Sequence, residues 1–290
     1  ENCVLCYSRG VDKSRFSHIQ TEECPVCKNK DASDVTAAII KTMADAVSEV
    51  DNKIKFFEFT WAWENDFCDQ YEKLLDLLPK NVIALQVSED KIPIERGGIK
   101  GEVADYSLSV VGPGETAKKL WKKVKENGIE TAAKVQINTS WECSTAPFLP
   151  VYENVIEHMK NLVDMGIEHM MLSWTLGGYM SDNIKIASAF FFDSGDDNFY
   201  DSFLKSEYGE HSENVKKAVK CFCNGFAEYP FAHQSIYEGP SNTGAGNLLF
   251  PEKSGFSSTM TGFAYDDLDR WRNIYPREVY YNQYKKLCEK

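Results

Sequence analysis

Apolar residues recur along this chain with two periods, and the alternation between them predicts a parallel α/β architecture. Val35, Ala38, Ile39, Thr42, Met43, Ala46 and Val47 fall at helical spacing between Asp34 and Val50, with Asp31 or Ser33 placed to cap the start. Lys55 to Trp63 is an aromatic-rich run that reads as a strand, Tyr71 to Leu78 returns to helical spacing, and Asn81 to Ser88 is apolar enough for a buried strand. The pattern continues with a short strand or extended loop at 106–111, a helix from Glu115 to Asn127 closed by Gly128, and a strand from Ala132 to Asn138. A helix from Pro150 to Met165, closed by Gly166, then leads into a strand from Met170 to Trp174. Helices that carry the chain from one strand to a parallel neighbour imply four or five βα units.

Eight such units close into a barrel of about 250 residues. The chain opens Glu1-Asn2-Cys3, with neither an initiator Met nor the charged and apolar regions of a signal peptide. The expectation is therefore a (β/α)8 TIM-type barrel entered partway round. Residues 1–190 would be its C-terminal part, with a cysteine-rich loop at 3–27, and residues 191–290 a helical C-terminal extension. The N-terminal part of the same polypeptide would be its partner. Ser202 to Tyr229 and Asp266 to Lys290 read as helices, and 238–258, rich in Gly, Ser, Pro and Asn, as a long loop that could cover a site.

Composition narrows the function classes. A content of 43% hydrophobic and 13% aromatic residues in 290 supports a sizeable core, and no apolar run approaches the roughly 18 residues of a membrane span. A formal net charge of -12 disfavours nucleic acid and anionic membrane surfaces as partners. Four of the nine cysteines form Cys3-x2-Cys6 and Cys24-x2-Cys27, seventeen residues apart, a spacing that suits a structural zinc ion held by four thiolates. Disulfides or packed thiols are the alternatives, although an odd cysteine total argues for a reducing, cytoplasmic location. No organic cofactor is implied, because Gly97-Gly98 and Gly177-Gly178 lack phosphate-loop spacing and read as sharp turns.

In a parallel barrel the residues that follow each strand converge on one mouth. Here they are Trp61, Trp63 and Glu64, then Glu89 and Asp90, then Asn138, Trp141 and Glu142, then Trp174 and Tyr179, with Glu1 included if a strand precedes it. Indole faces stack on sugar rings and carboxylates bind hydroxyls, so the set suits a carbohydrate. Glycosidic hydrolysis needs two carboxyl groups, one to protonate the departing oxygen and one as nucleophile or base. Glu142 is the first candidate, with Glu1 or Glu89 as its partner. Trp61, Trp63, Glu64, Asn138, Trp141, Trp174 and Tyr179 would bind substrate. Taken singly, each glutamate reads as readily as a solvated charge or an ion pair with Arg96, and each tryptophan as a packing residue.

The runs Lys134-Val135-Gln136-Ile137-Asn138-Thr139-Ser140-Trp141-Glu142 and Leu172-Ser173-Trp174-Thr175-Leu176-Gly177-Gly178-Tyr179 resemble those of bacterial glycoside hydrolase-like TIM-barrel proteins, the family 20-like and endo-β-N-acetylglucosaminidase-like barrels. The likeness takes in the loop of Cys6 and Cys24-Pro25-Val26-Cys27 and the later Met260 to Asp269 with Trp271-Arg272. It implies a barrel with a helical extension and action on a glycan, with hexosaminides among the candidate substrates. One departure counts against substrate-assisted chemistry: family 20 enzymes carry an adjacent Asp-Glu pair after the fourth strand, whereas Glu1 is followed by Asn2. A noncatalytic glycan-binding barrel is the alternative reading. A lyase or isomerase is a third, against which stands the absence of clustered His and Lys at strand ends.

Overall fold

The computed structural model describes residues 29–138, 142, 146, 148–173, 180–193, 196, 198–237, 252, 253, 255 and 267–290. Strands β1 (Phe56–Phe59), β2 (Val82–Val87), β5 (Glu130–Val135) and β6 (His169–Leu172) form one parallel sheet in the order β1-β2-β5-β6. In the first pair, Phe56 lies opposite Val82 and Phe59 opposite Leu85. Strands β3 (Pro93–Arg96) and β4 (Ile99–Glu102) make a separate antiparallel hairpin. The eight-stranded TIM-type barrel expected from the sequence is thus corrected to a mixed α/β fold on a four-stranded parallel sheet. Residues 106–111 form no strand, and every described element after β6 is helical.

Helix α1 (Ala32–Val50) precedes β1, and α2 (Trp63–Phe67) and α3 (Tyr71–Leu77) join β1 to β2. Helix α4 (Glu115–Glu126) precedes β5, and α5 (Tyr152–Asp164) joins β5 to β6. Both α4 and α5 end as their glycines require, with Gly128 and Gly166 at positive φ and the next amide turned back on the helix. Beyond β6 come α6 (Asp182–Asp193), α7 (Phe199–Tyr208), α8 (Ser212–Phe226), α9 (His233–Tyr237), α10 (Leu268–Arg272) and α11 (Arg277–Glu289). The single helix expected over 202–229 is interrupted at Gly209, which sits at φ 56°. Among the described residues, no helix is long and apolar enough to cross a membrane.

The chain divides into two compact units, 1–86 with 118–133, and 87–117 with 134–290. In the first, α1 packs on α3. Leu74, Leu75, Leu120 and Trp121 are buried, and the Trp121 indole N–H donates to the Ala132 carbonyl at 3.1 Å, so this large ring leaves no orphan donor. Phe59, Ile83, Leu85 and Ala132 share an apolar cluster.

In the second unit, α5 packs on α6 and α8, α7 bridges α6 and α8, and α11 lies on α8. Tyr152, Tyr208, Asp182, Lys185 and Glu207 tie α5, α6 and α7 together, with Tyr208 donating to Asp182 at 2.5 Å and Lys185 bridging Asp182 and Glu207. The turn of the β3–β4 hairpin has Gly97 at φ 58° and Gly98 at φ 78°, the paired left-handed geometry of a tight two-residue connection. A Cβ on Gly97 would meet Val279 Cγ1 at 2.6 Å, whereas one on Gly98 would meet nothing within 4 Å. Gly97→Ala is therefore expected to lower stability by about 2–3 kcal/mol, from strain plus overpacking against α11. Gly98→Ala is expected to cost about 1 kcal/mol from strain alone. Urea titration of the two variants checks the difference, and equal midpoints would contradict the seating of the turn on α11.

Candidate functional site

Where β2 and β5 end, two chain segments run side by side in the second unit, the Ser88 amide donating to the Lys134 carbonyl at 2.9 Å. Ser88 and Glu89 lie in the bend that follows β2 and take different partners. Ser88 Oγ lies 2.6 Å from His158 Nε2 of α5, both groups buried. Glu89 is fully buried. Its Oε1 accepts from the Gln136 amide at 3.1 Å, and its Oε2 has no hydrogen-bond partner among the described residues. Both side-chain atoms of buried Gln136 are likewise without a partner there. Buried polar atoms are rarely left so, and such a group calls for water or a ligand.

Glu142 is equally buried, and residues 107–109 hold it. Ser107 Oγ donates to Oε1, and the Leu108 amide donates to Oε1 at 3.0 Å and to Oε2 at 3.3 Å. Asn154 of α5 in turn fixes this loop through the Leu108 carbonyl at 3.0 Å. Just before it, Asp105 adopts φ 70° and accepts a hydrogen bond from the Tyr237 hydroxyl of α9. Lys134, a buried charge on β5, has its Nζ 5.4 Å from the centre of the Tyr106 ring.

Burial sets the electrostatics of this cluster. It pushes the Glu89 carboxyl well above the usual carboxylate range, with the charge of Glu142 adding to it and the Gln136 amide and Lys134 opposing. It raises Glu142 to about 7, against the hydrogen bonds from Ser107 and Leu108, and Asp90 to about 6. It lowers Lys134 to about 8, against the charges of Asp105 and Glu89. Glu142 is thus near its midpoint at neutral pH, and Glu89 holds its proton more tightly than an ordinary glutamate. Two buried carboxyl groups that both hold their protons more tightly than usual are candidates for acid and base work.

The other sequence candidates fare variously. Asn138 is buried in the second unit, but its side chain accepts from Ser181 and its amide donates to Ser173 Oγ at 2.7 Å, so it knits the ends of β5 and β6 together. Trp61, Trp63 and Glu64 belong to the first unit. The strand expected to reach Trp63 stops at Phe59, because Ala62 takes a left-handed conformation and Trp63 opens α2. Trp63 is buried in edge contact with Phe67, while Trp61 and Glu64 are exposed. Glu1, Trp141, Trp174, Tyr179 and the proposed zinc ligands Cys3, Cys6, Cys24 and Cys27 lie outside the described residues. Among the described residues there is no group of three or more His, Cys, Asp or Glu side chains that could hold a metal ion. An open depression of about 460 Å3, lined by Asp269, Arg270, Asn273 and Ile274, involves none of the buried cluster.

Sequence reasoning did not single out Lys134, Gln136, Asp105, Ser107 or Tyr237. The available signal was Lys134 itself, a cation within the run Ala132-Ala133-Lys134-Val135, where an apolar strand has no other use for a charge. Comparison with family models, with curated proteins and with solved structures returns no match.

Proposed function

We propose that the chain is a glycoside hydrolase using Glu89 and Glu142 as its two carboxyl groups. Two buried carboxyls in the second unit, following β2 and β5 and both held above the usual carboxylate range by burial, carry this reading. Glu89, whose burial favours the protonated form, gives its proton to the departing glycosidic oxygen. Glu142, aligned by Ser107 and the Leu108 amide, acts as nucleophile or as base toward water once ionised. The partnerless amide of Gln136 supplies a donor and an acceptor for sugar hydroxyls. The reading puts the enzyme in a reducing, cytoplasmic setting, in keeping with the free thiols Cys68, Cys221, Cys223 and Cys288.

The test is hydrolysis of a panel of chromogenic glycosides and polysaccharides. Activity is expected to rise with pH through about 7 as Glu142 ionises, and to fall at least about 10²-fold in Glu142→Gln. Glycan binding without turnover, unchanged by Glu142→Gln, would replace the enzyme with a noncatalytic glycan-binding protein. Turnover that survives Glu142→Gln would remove Glu142 from the mechanism.

A further inference from the structure

Glu142 is held unevenly, and the unevenness begins at a side chain one step removed from it. Its Oε1 accepts from the Ser107 hydroxyl and from the Leu108 amide at 3.0 Å, whereas Oε2 accepts only from the Leu108 amide, at 3.3 Å, among the described residues. A serine hydroxyl has one proton and two lone pairs. Both lone pairs of Ser107 Oγ are engaged by Ser109, whose amide donates at 3.0 Å and whose hydroxyl oxygen lies 2.6 Å away. Because the Ser107 proton goes to the carboxyl, the Ser109 hydroxyl is the donor of that second bond. With its acceptors filled and one proton to give, Ser107 has a single arrangement, aimed at Oε1. The side chains of Ser107, Ser109 and Glu142 are all buried, and Asn154 of α5 fixes the same segment through the Leu108 carbonyl at 3.0 Å.

We infer that Ser109 is a positioning residue for Glu142: through Ser107 it locks Oε1 in hydrogen bonds and leaves Oε2 as the oxygen that carries the proton and, once ionised, acts on the substrate. The last of these roles rests on the hydrolase reading, and the others rest on the hydrogen bonds. A proton on Oε1 would face two donors and find no acceptor in Ser107, so it resides on Oε2. When Glu142 ionises, Oε1 keeps both donors and Oε2 keeps a spare lone pair. Burial raises the Glu142 carboxyl to about 7 and the bonds from Ser107, Leu108 and Ser109 oppose the rise, so loosening this clamp raises it further. The charged and titratable groups of the surrounding elements have other partners or none. Arg96 Nη2 lies 3.5 Å from the Ser109 carbonyl, Asp105 takes the Tyr237 hydroxyl, His158 of α5 is bonded to Ser88, and Glu89 takes the Gln136 amide. Neither these nor Lys134 of β5 hydrogen-bonds the Glu142 carboxyl, although its charge is felt at Glu89.

The experiment is a pH titration of the full chain carrying carboxyl-labelled glutamate, followed by carbon NMR, with the Glu142 signal assigned by its loss in Glu142→Gln. Ser109→Ala removes a hydroxyl that acts on the carboxyl only through Ser107, and it is expected to raise the Glu142 midpoint by about half a unit. Ser107→Ala, which removes the direct donor, is expected to raise it by about one unit. Ser109→Thr keeps the hydroxyl and is expected to bring the midpoint back toward wild type, a rescue that a packing role for Ser109 would not produce. A midpoint unmoved in Ser109→Ala, or a shift that Ser109→Thr does not reverse, overturns the inference. The titration uses no substrate, so its outcome is separate from that of the hydrolase reading. In glycoside hydrolysis, the rising limb of the pH profile is expected to move with the carboxyl midpoint in each variant. A limb that stays in place while the midpoint moves removes Glu142 from the hydrolase mechanism and overturns the catalytic role given to Oε2.

Discussion

Glu89→Gln is expected to lower hydrolysis by about 10²–10⁴-fold and yet to make the protein more stable at pH 8 than wild type. Both effects follow from one fact, a carboxyl group with no access to solvent. Its folded proton affinity lies well above the unfolded one, through burial first and the charge of Glu142 second. Such a group contributes stability that is fully present below the unfolded pKa, near 4.5, and is lost as pH rises through the folded value. Glutamine has the shape of the protonated acid, and its carbonyl can still accept from the Gln136 amide, but it never ionises. The stability difference between variant and wild type should therefore be smallest at pH 4 and move in favour of the variant as pH rises. Urea titrations at pH 4, 6 and 8 measure it. A variant less stable than wild type at pH 8 would mean that Glu89 is a carboxylate held by Lys134, and the acid role would pass to another group.

The sequence made the scaffold of this site legible and hid its wiring. Asn81 to Ser88 and Ala132 to Asn138 are apolar runs that only a buried strand explains, so Glu89 and Glu142 could be named as residues following strand ends. The hairpin at 93–102 escaped because Pro93-Ile94-Glu95-Arg96 offers a single buried apolar side chain, Ile94, and its turn leans on α11, almost two hundred residues on. Trp63 was misassigned because aromatic content reads as strand, whereas the chain turns at Ala62 through a left-handed conformation that side-chain periodicity does not encode. The partners of the two glutamates are non-local. Ser107 reaches Glu142 across 35 positions, and Tyr237 reaches Asp105 across 132. No local pattern carries such pairs. Fold closure was over-read for a related reason: each βα unit satisfies its own periodicity whether or not further strands follow, so counting units does not establish a barrel.

Acid is expected to destabilise the second unit through His158. The imidazole is 4% exposed, bonded to Ser88 Oγ and packed so closely that a Cβ on Gly112 would lie 2.4 Å from its Nε2. Burial alone lowers its pKa to about 3 from 6.5. The sign is opposite to that of Glu89. The unfolded chain binds a proton at this histidine below pH 6.5 and the folded chain does not until about 3, so stability is intact above 6.5 and is lost progressively as pH falls toward 3. Over the whole window the loss approaches about 5 kcal/mol at 1.36 kcal/mol per unit. The buried carboxyls oppose it: Glu142, raised to about 7, contributes stability present below 4.5 and lost as pH rises to 7. The histidine is isolated by comparison with His158→Gln, which removes the titration, although the substitution itself costs packing and the Ser88 bond at every pH. Wild type should lead the variant by a constant margin above pH 7, and the margin should shrink or reverse between pH 6 and 4. The measurement is urea unfolding by circular dichroism at one-unit pH steps. A margin that holds constant down to pH 4 would show that His158 is charged or solvated in the folded protein, and that the buried Ser88–His158 contact is looser than 2.6 Å.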